Sequence, residues 1–120
     1  MATRAIRGAI QVEANTSAEI ASGVQELISS ILASNSISPD DVISVFFTST
    51  ADLTAAFPAA TCREMGFANV PLLGSVEVPV PNALDRTVRA LLLVETELPR
   101  EKITHAYLRG AAALRRDIAQ

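Results

Sequence analysis

VPLLGSVEVPVPNALDRTVRALLLVET, residues 70–96, is the stretch on which the fold turns. Val70 to Val78 is rich in aliphatic and β-branched residues, Pro79, Pro81 and Asn82 interrupt it, and Thr87 to Thr96 is apolar again. That pattern predicts two strands separated by a turn region. Alternation along the second strand sets Arg89 on one face with Leu91 and Leu93. A guanidinium on an otherwise apolar face needs an anionic partner or a path to solvent, because an unpaired buried charge is costly. Glu77 and Arg89 are the two anomalies of the stretch, and they read structurally as an internal salt bridge or as an arginine at the sheet rim.

Working outward toward the amino terminus, Arg4 to Val12 alternates so that Ile6, Ile10 and Val12 share one face and Ala5, Arg7 and Ala9 the other, which predicts a strand. Arg7 stands beside Gly8, where bare backbone suits either close approach of a ligand or a bulge. Thr16 to Asn35 predicts a helix. Thr16 and Glu19 have the spacing of a capping box, and Ile20, Val24, Leu27, Ile28, Ile31 and Leu32 recur at helical spacing, so the helix is expected to lie across a sheet. After a turn at Pro39 to Asp41, Val42 to Thr50 reads as a strand buried on at least one face and running into Asp52, a candidate helix N-cap. A short helix then begins at Pro58, with Phe57 before it, Arg63 within it and Gly66 where a C-cap falls.

Toward the carboxyl terminus, Pro99 to Glu101 predicts another turn and Ile103 to Leu108 a short strand holding His105 and Tyr107. The tail RGAAALRRDIAQ reads as a fraying helical turn. His105 has no sequence partner that makes it a general base, Cys62 reads as a small core residue, and Arg63 as a solvated helix arginine.

Composition bounds the function. The 120 residues are 49% hydrophobic and 19% charged, which suits one domain spanning 1–120. A mean hydropathy of +0.31 is high for a soluble monomer, yet the longest apolar run, Ala90 to Val94, is far too short to cross a bilayer. The surplus apolar surface is therefore expected in subunit interfaces. No signal-peptide pattern opens the chain, since Arg4 and Arg7 interrupt its first ten residues, so a cytoplasmic location is the default expectation. A single cysteine excludes an intrachain disulfide, and one Cys with one His excludes a conventional zinc site. A net charge of -3 with few aromatics and no basic run argues against a nucleic-acid surface.

The chemical inventory is short: no phosphate loop, no nucleophile elbow, no metal-ligand cluster. Arginines, one glutamate and one tyrosine remain, a set suited to gripping a small dianion through forked, charge-assisted hydrogen bonds.

Five blocks carry a resemblance. IRGAIQVE, ADLTAAFPAATCRE, VPLLGSVEVPV, LDRTVRALLLVET and HAYLRGAAALR, in this order and at these separations, resemble the small monofunctional bacterial chorismate mutases of the trimeric pseudo-α/β-barrel type over nearly the whole chain. The resemblance implies an α+β fold, a mixed β-sheet with helices packed on one face, assembled as a homotrimer with active sites between subunits. It implies conversion of chorismate to prephenate by a [3,3] rearrangement, with no cofactor, no metal and no covalent intermediate.

By the same resemblance Arg89 matches the arginine that meets the ether oxygen in the transition state, Arg7 and Tyr107 match groups that bind a carboxylate, and Glu77 matches the glutamate that takes the ring hydroxyl and orients Arg89. Arg89, Glu77 and Arg7 are thus the catalytic candidates. Phe57, Arg63, Leu73, Gly74, Leu114 and Arg115 complete the substrate-binding set. Two positions depart from the family pattern: Gly74 stands where a cysteine is usual and Ala60 where a lysine often sits. A non-catalytic trimer binding a small carboxylate metabolite is the alternative, and hydrolytic imine deamination, as in another family of trimers, fits the blocks less well.

Overall fold

In the computed structural model, which describes residues 1–115, the two strands of the deciding stretch are of unequal standing. The elements in chain order are β1 (Ala2–Gln11), α1 (Ser17–Ser34), β2 (Val42–Ser49), α2 (Pro58–Glu64), β3 (Leu72–Val76), β4 (Thr87–Thr96) and β5 (Ala106–Leu108). Single 3-10 turns occupy Pro39–Asp41 and Arg100–Lys102, and a longer 3-10 segment follows β5 over Arg109–Leu114. The sheet order is β3-β2-β4-β1-β5. β4 lies at the centre, antiparallel to β1 and β2, whereas β3 and β5 are edge strands parallel to β2 and β1. The sheet is therefore mixed.

The helices cover one face of it. Ile6 and Ile10 of β1, Val45 and Phe47 of β2, and Val88, Leu92 and Val94 of β4 form a single core with Ile20, Val24, Leu27, Ile28 and Ile31 of α1 and Cys62 of α2. Each aliphatic side chain of α1 in that core contributes roughly 1.5–3 kcal/mol on burial. Burial also pushes the Cys62 thiol up to about 12, so it remains a neutral packing residue.

Local chemistry explains the element ends. Thr16 Oγ1 accepts from the Glu19 amide at 3.1 Å, capping α1 as expected. The return half of the capping box is absent, because the Glu19 carboxylate instead accepts from the Glu13 amide and pairs with Arg109. Gly66, at φ +98°, follows the end of α2 in the left-handed conformation its position required. Asp52 caps no helix: α2 starts at Pro58, and the Asp52 carboxylate accepts from the Arg86 amide at 2.9 Å. It thereby ties the turn after β2 to the loop before β4.

β3 ends at Val76, shorter than the Val70–Val78 span, because an edge strand has ladder bonds on one side only. The last strand shrinks from 103–108 to Ala106–Leu108. Ahead of it, the buried Asn35 at the end of α1 donates to Thr104 O and accepts from Thr104 N, hanging β5 from the helix. Gly8 makes no bulge, since β1 pairs with β4 in unbroken register there, and its bare backbone serves the chain's own packing as well as bordering the cleft described below. A Cβ there would lie 2.6 Å from Ala106 O and about 3 Å from the ends of Leu27 and Ile31, so only glycine lets β5 and α1 close on β1. Of the expected tail turn, residues 109–114 are 3-10 helical, and residues 116–120 lie outside the described residues.

Candidate active site

The face of the sheet away from the helices is open, and strand pairing writes a row of side chains across it. Ser75 pairs with Thr48, Thr48 with Arg89, Arg89 with Ala9 and Ala9 with Tyr107, so β3, β2, β4, β1 and β5 each place one residue in a single line. The next row on the same face holds Leu73, Phe46, Leu91 and Arg7. Two rows bring Arg7, Arg89 and Tyr107 together from positions 7, 89 and 107. Ala9 between Arg89 and Tyr107 is small and fully buried, leaving the two larger groups the space above it.

These residues border an open cleft of about 370 Å³, lined by Arg7, Phe46, Thr48, Arg89, Tyr107 and Leu114 among others. Arg115 completes one side. The floor is apolar and the rim cationic. Glu77 is the acid that addresses Arg89, with its Oε1 3.4 Å from the Arg89 Nε. The Thr48 hydroxyl donates to the same carboxylate oxygen. The ion pair meets Arg89 at its Nε, and neither terminal nitrogen has an ion-pair partner among the described residues. Arg7 makes no ion pair among the described residues. The cleft therefore offers more fixed positive charge than it neutralises, which favours a dianion.

His105 lies behind Arg7. Its Nδ1 accepts from the Arg7 amide at 3.1 Å, extending the β1–β5 link by one residue. Burial, followed by the Arg7 and Arg115 charges, holds its pKa below the ordinary histidine value. It is a neutral structural histidine that aligns the strand carrying Arg7.

The single chain brings together Arg7, Arg89, Tyr107, Leu114 and Arg115 around the cleft, with Glu77 in contact with Arg89. It does not bring Phe57, Arg63, Leu73 or Gly74 to that lining. Leu73 shares the open face one strand beyond Phe46, Phe57 is 80% exposed ahead of α2, and Arg63 is exposed on the last turn of α2. Gly74 pairs with Phe47, and a Cβ there meets only the Phe47 carbonyl oxygen, at 3.9 Å, so a larger side chain fits without strain. Sequence reading passed over Thr48 and Phe46, although alternation in VFFTST sets both on the face opposite Val45 and Phe47. Among the described residues no three His, Cys, Asp or Glu side chains gather to hold a metal ion.

Comparisons with known proteins all point to one family. A family model described as chorismate mutase type I matches residues 3–118. The chain is 46% identical to the chorismate mutase AroH of Thermus thermophilus over 116 residues, 96% of this chain and 95% of that protein. It is 36% identical to the chorismate mutase AroH of Bacillus subtilis over 120 residues, 99% of this chain and 94% of that protein. Among solved structures, the chorismate mutase from Clostridium thermocellum superposes with a TM-score of 0.90 at 40% identity, covering 92% of this chain and 98% of the other.

Proposed function

The chain belongs to the type I chorismate mutase family, and we infer that the cleft around Arg89 is where it converts chorismate to prephenate. The rearrangement is intramolecular: the ether C–O bond breaks while a C–C bond forms, six electrons moving in one cycle. Nothing is protonated, attacked or oxidised. The enzyme's task is to hold the compact conformer and to stabilise the negative charge that grows on the ether oxygen as its bond lengthens.

The observation that carries this assignment is the Glu77–Arg89 contact in a cleft that also holds Arg7 and Tyr107. Arg89, anchored through Nε, presents its terminal nitrogens to the ether oxygen and a carboxylate. Arg7 and Tyr107 take a carboxylate, and Glu77 takes the ring hydroxyl while orienting Arg89. Leu114 and Arg115 close the carboxyl-terminal side.

Phe57, Arg63, Leu73 and Gly74 serve as walls contributed across a subunit boundary in a homotrimer. Support for that assembly comes from the open face itself, where Phe46, Leu91 and Leu93 are 38%, 45% and 39% exposed, a contiguous apolar surface of the kind that marks an interface. The biosynthetic role, supply of prephenate toward phenylalanine and tyrosine, belongs to the cytoplasm.

Purified protein mixed with chorismate tests the assignment through loss of ultraviolet absorbance, with prephenate confirmed by acid conversion to phenylpyruvate. Turnover that Arg89→Ala abolishes is the expected result. Binding without turnover would instead make the protein a carboxylate-binding trimer, and Gly74→Cys, which the backbone accommodates, would then be the first variant to assay.

A further inference from the structure

Between Tyr107 and Leu114 the chain turns through Arg109, which stands at φ 53°. Non-glycine residues take this left-handed conformation uncommonly, and they hold it only where surrounding contacts over-determine it. Glycine follows at 110 and serves a different need, since a Cβ there would lie 1.8 Å from Gln11 Oε1. What fixes residue 109 is its own side chain. Arg109 reaches from the β5 edge of the sheet to α1, where Nη1 lies 3.1 Å from Glu19 Oε1 and Nη2 lies 2.9 Å from Glu26 Oε1. Glu19 and Glu26 are two helical turns apart, so one guanidinium bridges both along a single face of α1.

What the turn delivers is the end of the cleft. Immediately before it, Tyr107 packs with Ala9; immediately after it, Ala111 joins that buried group, with Leu84 and Leu114 against it. Leu114 and Arg115 then line the cleft. Arg109 lies outside the cleft lining and contacts α1 instead.

We propose that Arg109 is a positioning residue for the rearrangement: its two-armed pairing with Glu19 and Glu26 pins the left-handed turn that sets Leu114 and Arg115 on the cleft. The inference rests on the functional reading given above. A clamp of this kind acts through the placement of binding groups, so its loss falls on substrate capture more than on the step at Arg89.

Arg109→Gly is one variant that tests it, because glycine adopts the left-handed backbone without strain and loses the clamp. It is expected to raise KM on the order of 10-fold with little change in kcat. The double variant Glu19→Ala with Glu26→Ala removes the same pairing from the other side and is expected to match it. Adding Arg109→Gly to that double should change nothing further, the non-additivity that marks one shared interaction. Arg109→Lys, which keeps the charge and loses the fork, should fall between.

Amide hydrogen exchange tests the clamp without substrate: exchange over residues 109–115 should quicken in the Glu19→Ala, Glu26→Ala double variant, whose turn keeps its own sequence, while β1 and β4 keep their protection. An unchanged KM, or unchanged exchange over 109–115, overturns the proposal. Failure of the parent protein to turn over chorismate would instead sink the function, and with it Arg109's part in the reaction, while the exchange measurement still decides whether the clamp exists.

Discussion

The two faces of β4 obey different rules. Val88, Ala90, Leu92 and Val94 point into the core and are buried; Arg89, Leu91, Leu93 and Glu95 point the other way and are exposed. Hydrophobicity does not separate the faces, since leucine occurs on both. The covered face is a packing problem that several aliphatic side chains could solve, whereas the open face holds a charge pair whose geometry only particular residues supply. Stability should therefore reside in one set of alternate residues of this strand, and catalysis with assembly in the other.

Substitutions on the two faces can break that division. Arg89→Ala should cost at least 10²–10³-fold in kcat, about 3–4 kcal/mol of barrier, with an unaltered melting temperature, because its side chain is half in solvent. Steady-state kinetics beside calorimetry would reveal any mixing: a large fall in stability there would erase the distinction. Leu92→Ala, three positions along and fully buried, should lower unfolding free energy by about 2–5 kcal/mol in denaturant titrations. Leu93→Ala, by contrast, should leave the subunit's far-ultraviolet dichroism intact and weaken the proposed trimer in sedimentation velocity; a loss of stability as large as that of Leu92→Ala would contradict the assignment of its face.

Smaller effects sharpen the contrast. His105 has a depressed pKa in the folded chain, so its contribution to stability is fully present above the unfolded value near 6.5 and is lost as pH falls through the folded value. Thermal melts between pH 7 and 5 should show this decline, and His105→Gln should flatten it. At the other extreme stands Ala60→Lys, on an exposed position of α2. A cation there should raise kcat/KM severalfold at low ionic strength through faster capture of a dianion, with kcat unchanged and the gain fading in salt. A gain that ignored salt would assign that residue to binding instead of steering.

Much of this was legible in the sequence, and the exceptions have physical reasons. Helix α1 carried its cap and its 3.6-residue stripe, and β4 carried its alternation, so both elements and the faces they bury follow from local pattern. The Glu77–Arg89 contact could be anticipated because a charge on an apolar strand must be answered nearby. Asp52 was misleading because an aspartate at a strand end satisfies a loop amide as readily as a helix terminus. The packing need at Gly8 was not visible because what approaches it, Ala106 and α1, comes from far along the chain.

Convergence of Arg7 with Tyr107 depends on β1 pairing with β4 and β5 at once, which no local window contains; the five resemblance blocks supplied that expectation. Phe57, Arg63 and Gly74 had their roles from the resemblance alone, and a single subunit does not gather them.

The position of β1 between β4 and β5 also governs how the protein comes into being. β1 has its two neighbours beginning at Thr87 and Ala106, so it stays unpaired on the ribosome until those later segments are made. Closure of the sheet must wait for β4 and β5, and such long-range pairing slows folding. During that wait Ile6 and Ile10 face solvent beside unpaired backbone, and newly made chains are most prone to wrong association while they do.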